Sequence, residues 1–91
     1  MITDKQAAVL RLLYNGHKLK ELKAIILSET ISQWFTRYRI YNMVLMGRTV
    51  DVLIKNGFIK IIPIRIYKWE YEITPAGIAA LKKWEAKHDN Q

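Results

Sequence analysis

Basic side chains that could neutralise phosphate groups are concentrated in the middle of this 91-residue chain. Residues 30–69 contain seven bases and a single acid, Asp51, whereas residues 70–91 contain more acids than bases. Such an uneven distribution indicates a polyanionic partner, although a solvated basic surface kept for solubility is the simpler alternative. The seven bases are Arg37, Arg39, Arg48, Lys55, Lys60, Arg65 and Lys68.

Side chains suited to catalysis or to metal binding are scattered along the sequence. There is no cysteine, and neither His17 nor His88 has a partner at metal-ligand spacing. The hydroxyl side chains of residues 28–32 have no histidine nearby in sequence, and the four glycines form no phosphate-binding loop. We therefore expect no enzymatic activity, no metal, no cofactor and no small-molecule ligand.

The compartment follows from what the composition lacks. Without cysteine the chain has no disulfide framework, which fits a reducing environment. No apolar run approaches the roughly 18–20 residues of a membrane helix, and no signal-peptide pattern opens the chain. We expect a cytoplasmic protein (host cytoplasm or nucleoid) that does not contact a membrane.

Two helices have clear signals at their starts. Thr3 and Gln6 have the spacing of a capping box before an apolar stripe, and Asn15-Gly16 supplies a stop, which predicts a helix over 4–15. Near the other end, Thr74 can cap a helix whose first position is Pro75, which predicts a helix over 75–88.

The stretch before residue 42 admits two interpretations. Ile31, Trp34, Phe35 and Tyr38 recur at helical spacing, which favours a helix over 30–38 as the first member of a helix-turn-helix pair. The same stretch is rich in β-branched and aromatic residues, so a β-hairpin turning near residues 28–32 is the rival. We favour the helix.

A further helix and two strands complete the prediction. Asn42 is a good N-cap for a helix over 43–56, whose apolar face includes Met43, Met46 and Leu53. Residues 58–62 read as a strand, and alternation over 69–74 indicates a second strand with a basic loop between the two.

Two segments resemble a known family. Arg48–Ile59, with its Val-Asp-x-Leu and Gly-Phe-Ile, is similar to the end of the recognition helix in MarR-type and PadR-type winged-helix regulators. Tyr71–Leu81, with its Ile-Thr-Pro-x-Gly, looks like their wing exit. The resemblance implies an α+β fold: one winged-helix domain spanning 1–91, mainly helical, with a two- or three-stranded antiparallel wing and a C-terminal helix. It also implies a small transcriptional regulator that binds double-stranded DNA.

Family positions can be carried over residue by residue. The recognition helix would lie in the major groove, and the wing and the preceding element would meet the phosphates. Within residues 43–47 no side chain is of the kind that usually reads base edges, whereas Arg48 suits bidentate contact with guanine. The predicted DNA-binding residues are Arg37, Arg39, Asn42, Val44, Leu45, Arg48, Lys55, Lys60, Arg65, Tyr67 and Lys68.

We also expect a homodimer, because so short a chain gains little stability from a single core. Its predicted interface, on the first and last helices, comprises Val9, Leu13, Ile78, Leu81 and Trp84. Small size suits a regulator from a phage, a virus or a mobile element. The alternative is a winged-helix protein-interaction module in a phage or replication assembly, suggested by the apolar pair Val44-Leu45. A weaker option is a binder of RNA or single strands that stacks bases on Trp34, Tyr38 and Tyr41.

Overall fold

A computed structural model describes residues 2–27, 32–66 and 68–88, with the backbone alone for 22–27 and 32–36. These residues form an α+β fold in which a three-stranded and a two-stranded antiparallel sheet are combined with three helices. Helices and strands contain nearly equal numbers of residues, so the expectation of a mainly helical domain is wrong. No helix in the described part of the chain is both long and apolar enough to cross a membrane.

Helix α1 (Asp4–Tyr14) begins where the sequence predicts. The Thr3 hydroxyl accepts a hydrogen bond from the Gln6 backbone N–H, and the Gln6 side chain accepts one from the Thr3 N–H, both at 3.1 Å. This capping box satisfies two of the N–H groups that the first turn leaves without helical partners. After the helix, Gly16 adopts a φ of 95°, a conformation that glycine reaches without steric cost.

The helix predicted over 30–38 is wrong for 32–38, while positions 30 and 31 lie outside the described residues. Strand β1 (Leu19–Leu27) pairs antiparallel with β2 (Ser32–Ile40), as the rival hairpin requires, and residues 28–31 between the two strands lie outside the described residues. The apolar residues of this stretch fit both helical spacing and alternation. The strand forms instead of the helix because β1 and β2 make nine consecutive cross-strand pairs. Such pairing stabilises β-branched and aromatic residues, which a helix accommodates less well.

The helix predicted over 43–56 is wrong at its start. Residues Met43–Met46 form strand β3, which pairs with β2, and helix α2 (Gly47–Lys55) follows without a loop. Asn42 is not an N-cap but lies with Tyr41 in the two-residue turn between β2 and β3. Tyr41 has a φ of 52°, a strained conformation for a bulky side chain. A helix beginning at Gly47 also keeps this glycine out of a helix interior, where it would cost about 0.5–1 kcal/mol.

The C-terminal part agrees with the prediction. Strands β4 (Ile59–Arg65) and β5 (Lys68–Ile73) form the two-stranded hairpin, here called the wing, although its strands extend closer to the turn than predicted. Helix α3 (Pro75–His88) then occupies the predicted residues.

The core of the described residues gathers side chains from both sheets and all three helices. It includes three members of the predicted dimer interface, since Val9, Leu13 and Leu81 are buried within the single chain. The prediction that these three form an interface between subunits is therefore wrong. Ile78 and Trp84 are half-buried.

Thr74 joins the wing to the rest of the fold. Its backbone N–H donates to the Phe58 carbonyl oxygen at 2.9 Å, and its hydroxyl donates to the Gly57 carbonyl oxygen at 2.5 Å. The same hydroxyl accepts from the Gly77 N–H at 3.1 Å and so caps α3. Gly77 in turn packs so close to the Phe58 carbonyl that a β-carbon would overlap it. Thr74 thereby joins the end of α2, the two strand ends of the wing that lie farthest from its turn, and the start of α3 at one junction.

Replacing Thr74 with valine tests this junction, because valine keeps the shape of threonine and loses the hydroxyl. We expect Thr74→Val to lower the free energy of unfolding by about 1–2 kcal/mol, measured by urea denaturation. The matched control, Thr74→Ser, keeps the hydroxyl and should lose clearly less. Equal denaturation midpoints for the two variants would contradict the role of the hydroxyl.

Candidate nucleic-acid interface

The outer face of the three-stranded sheet is basic along β2. Arg37 and Arg39 are exposed, whereas Tyr38 and Ile40 between and beside them are buried. This alternation follows from the period of two in a strand, which sends successive side chains to opposite faces. On β3, Val44 lies directly opposite Arg39, and Met46 lies opposite Arg37. The two basic and two apolar side chains therefore form one exposed patch, here called the basic patch, made of Arg37, Arg39, Val44 and Met46.

Strand β1 adds a basic residue that the sequence interpretation missed. Lys20 is exposed and lies opposite Arg39 in the β1–β2 register. Like charges directly opposite each other in a sheet are destabilising, so the pair has a cost in the free protein. Recognising the hairpin would have revealed Lys20, since it alternates with the buried Leu19.

The exposed face of α2 carries Arg48, Asp51 and Lys55, while Val50 and Leu53 are fully buried on its other side. The helix is thus held on the core and presents its charged face outward. Met46 pairs with Arg37, and Arg48 follows Met46 by two residues. The Cα atoms of the two arginines therefore lie within about 12 Å of each other.

Three bases lie on the wing. Lys60, Arg65 and Lys68 are all exposed, and Arg65 is paired with Lys68 in the register at the end of the hairpin. Lys60 instead faces Glu72 across the ladder, so its charge is partly offset. The prediction for Tyr67 lies outside the described residues.

Three predicted groove-facing residues are not where the sequence put them. Leu45 is fully buried in the core, so its assignment to a DNA-facing position is wrong. Val44 and Asn42 are exposed, but they lie on β3 and in the turn before it and not on a helix. The unusually apolar start of the predicted helix is explained by this, because residues 43–46 belong to a strand with one buried face.

The seven bases of residues 30–69 are free of salt bridges to the carboxylates of the described residues. The salt bridges found there join Arg11 to Glu85, Lys18 to Glu70, and His88 to Asp4. The carboxylates in these salt bridges lie on α1, α3 and β5, while Asp51 stays on the exposed face of α2 between Arg48 and Lys55. The bases on the outer sheet face, α2 and the wing tip keep their charge available to a partner.

Beneath the wing, an aromatic cluster fixes its orientation. The ring of Tyr38 meets that of Tyr71 edge to face, with 5.7 Å between centroids, and the Trp69 indole N–H donates to the Tyr71 hydroxyl at 3.3 Å. Burial, together with the neighbouring Tyr71 hydroxyl, raises the pKa of Tyr38 above its ordinary value. Because Tyr38 is buried, the option that it stacks single-stranded bases is wrong.

An open groove of about 750 Å³ separates the edge strand β1 from β5. Lys18, Lys20 and Lys68 line it together with Trp69, and the Lys18–Glu70 salt bridge of 3.3 Å crosses it. Glu21 and Glu70 also line the groove, so Lys20 and Lys68 are its two lysines outside that salt bridge.

Comparisons with protein-family models, with curated proteins and with solved structures give no significant match. Within the described residues, no three His, Asp or Glu side chains are placed to hold a metal ion together.

The Lys20–Arg39 pair can be tested by reversing one charge. We expect Lys20→Glu to raise the free energy of unfolding by about 0.5 kcal/mol, because an opposite-charge pair replaces a like-charge pair, and to weaken binding to duplex DNA. Urea denaturation and fluorescence anisotropy at low salt measure the two effects. Lys83→Glu on α3 makes the same change in net charge and is the control. Lower stability for Lys20→Glu, or equal loss of binding in both variants, would contradict this arrangement.

Proposed function

We propose that this chain is a small winged-helix transcriptional regulator that binds double-stranded DNA through α2, the outer face of the three-stranded sheet and the wing. The observation that carries the proposal is the set of seven exposed basic residues that form no salt bridge with the carboxylates of the described residues. Basic side chains without such salt bridges repel one another in the free protein, and binding of a polyanion relieves that repulsion. Lys20 and Arg39, which lie directly opposite each other, are one pair in which this repulsion acts.

Helix α2 has dimensions suited to the major groove. An α-helix with its side chains is about 10–12 Å across, which fits the major groove of about 12 Å, and the nine residues of α2 extend for about 13 Å along its axis. From its exposed face, Arg48 can make two hydrogen bonds to guanine, and Asp51 can accept one from the amino group of cytosine. In this proposal the β1–β2 hairpin takes the place of the helix expected before α2 and positions the recognition helix through β3.

Phosphate contacts would come from both sides of α2. No side chain caps the first turn of α2, so its N–H groups are free to meet a phosphate with the help of the nearby Arg37. On the other side, Arg65 and Lys68 reach the backbone from the wing tip.

The wider proposal includes a homodimer in the cytoplasm, with an origin in a phage, a virus or a mobile element. A second subunit would double the phosphate contacts and read a two-fold symmetric site. The dimer surface must differ from the one predicted, because Val9, Leu13 and Leu81 are occupied in the core. Trp84 is also engaged, since its indole N–H donates to Asp4 at 3.3 Å and Arg11 lies 5.7 Å from its ring centroid.

A protein-interaction module is the second candidate function, and one observation favours it. Val44 and Met46 are 54% and 53% exposed on the outer face of β3, and exposed apolar side chains that share a face often mark protein contacts. Four-residue β3 is also an edge strand of its sheet, open to pairing. Absence of any duplex binding at micromolar protein and low salt would favour this candidate.

A double variant tests the DNA-binding proposal. With Arg48 on a base edge, phosphate contacts from the other six basic residues predict a slope of roughly −5 for log K against log salt concentration. Arg48→Ala combined with Arg65→Ala should reduce its magnitude by about 1, because Arg65 is the one of the two that contacts phosphate. Binding to a random-sequence duplex should weaken at every salt concentration, as measured by fluorescence anisotropy.

The control is Lys82→Ala combined with Lys83→Ala on α3, which removes the same charge from outside the proposed interface. If both double variants bind alike, the assignment of α2 and the wing fails. Stronger competition by single-stranded than by duplex oligonucleotides would contradict the choice of duplex DNA.

A further inference from the structure

The turn at the wing tip carries an exposed apolar side chain. Arg65 and Lys68 are paired in the register, so two residues connect β4 to β5, and the first is Ile66. Ile66 is 82% exposed, the highest value for a large apolar side chain among the described residues. Its neighbour Ile64 is 48% exposed. Ile66 does not pack against the core.

An isoleucine is a poor choice for such a turn on local grounds. Two-residue hairpin turns favour Asn, Gly and Asp, which are small or polar and leave the tip hydrated. Isoleucine is β-branched and gains nothing from exposure to water. Its presence at the tip is explained if a partner buries it.

The charges around the tip define the chemistry of that partner. Arg65 and Lys68 flank Ile66, and no acid lies between Ile59 and Trp69. The partner therefore offers negative charge on both sides of a narrow apolar interior. A duplex does so, with phosphates along the rims of the minor groove and stacked bases between them. A membrane surface calls for a broad apolar face, whereas Ile66 is a single apolar side chain between two basic residues in sequence.

We propose that Ile66 is a wedge that enters the minor groove, partly unstacks one base step and bends the duplex. This inference rests on the proposed DNA binding and adds a mode of recognition to it. Strand β4 has seven residues and spans about 23 Å, enough to carry the tip from a major groove holding α2 to the adjacent minor groove. Flexible pyrimidine–purine steps are the favoured sites, because they unstack most easily.

The test uses the full chain and a duplex of about 30 base pairs containing TA steps, with a fluorescent donor and acceptor at its two ends. Saturating protein should raise energy transfer, because bending brings the ends together. A second duplex carries 2-aminopurine at the TA step, and its fluorescence should rise when the step unstacks. Ile66→Ala should bind with less than a tenfold loss of affinity and lose both signals. Ile61→Ala, which removes an apolar side chain from the middle of β4 (48% exposed), should keep both signals.

Three results would overturn the wedge. The first is a protein that binds the duplex without bending it, which leaves the proposed DNA binding intact. The second is an Ile66→Ala variant that bends the duplex as fully as the unchanged protein. The third is sedimentation of the protein with vesicles of phosphatidylserine and phosphatidylcholine that is lost in Ile66→Ala, which would assign Ile66 to a membrane surface. A protein that does not bind duplex DNA at all would fail the proposed function itself and the wedge with it.

Discussion

The arrangement of the candidate interface depends on the junction at Thr74. One hydroxyl donates to the Gly57 carbonyl after α2 and accepts from the Gly77 N–H at the start of α3, while the Thr74 backbone N–H donates to Phe58 at the base of the wing. These bonds fix the wing relative to α2 across the short connection formed by residues 56–58. The close approach of Gly77 to the Phe58 carbonyl allows α3 to pack directly on this corner. A wing attached in this way can present its basic tip at a set position beside the helix, as a two-point contact with DNA requires.

Three features of the candidate interface lower the stability of the free protein. They lie on the surface formed by α2, the outer sheet face and the wing tip. Lys20 and Arg39 oppose each other with like charge, Tyr41 turns the chain at a φ of 52°, and Ile66 is left 82% exposed. Each feature is one that stability alone would not select. The α1–α3 side shows the opposite behaviour, with a capping box, an Arg11–Glu85 salt bridge and a Trp84 hydrogen bond to Asp4. In these three features the candidate interface differs from the α1–α3 side, as expected of a binding surface.

Elements with a local chemical signal at their ends could be predicted from the sequence. The Thr3–Gln6 capping box placed α1, and Thr74-Pro75 placed α3, because caps act within one helical turn. The segment from 30 to 46 could not be predicted in the same way. Its apolar residues fit two periods, and Asn42 suits a cap and a turn equally, so the choice depends on pairing with β1, which is distant in sequence. Of the predicted DNA-binding residues, the seven basic ones are exposed as expected, because charged side chains stay in water whichever element carries them. The prediction for Leu45 is wrong because Leu45 lies on the buried face of β3, a strand that the sequence did not reveal.

The central claim is that α2, the outer face of β2 and β3, and the wing tip act as one DNA-binding surface. Nuclear magnetic resonance of the ¹⁵N-labelled chain, titrated with a random-sequence duplex at low salt, tests it most directly. The account predicts that amide shifts change at the exposed positions of α2, from Arg37 to Met46 along the β2–β3 turn, and at Arg65, Ile66 and Lys68, while most of α1 and α3 stays unchanged. Shift changes centred on α1 and α3, or an unchanged spectrum at duplex excess, would contradict it.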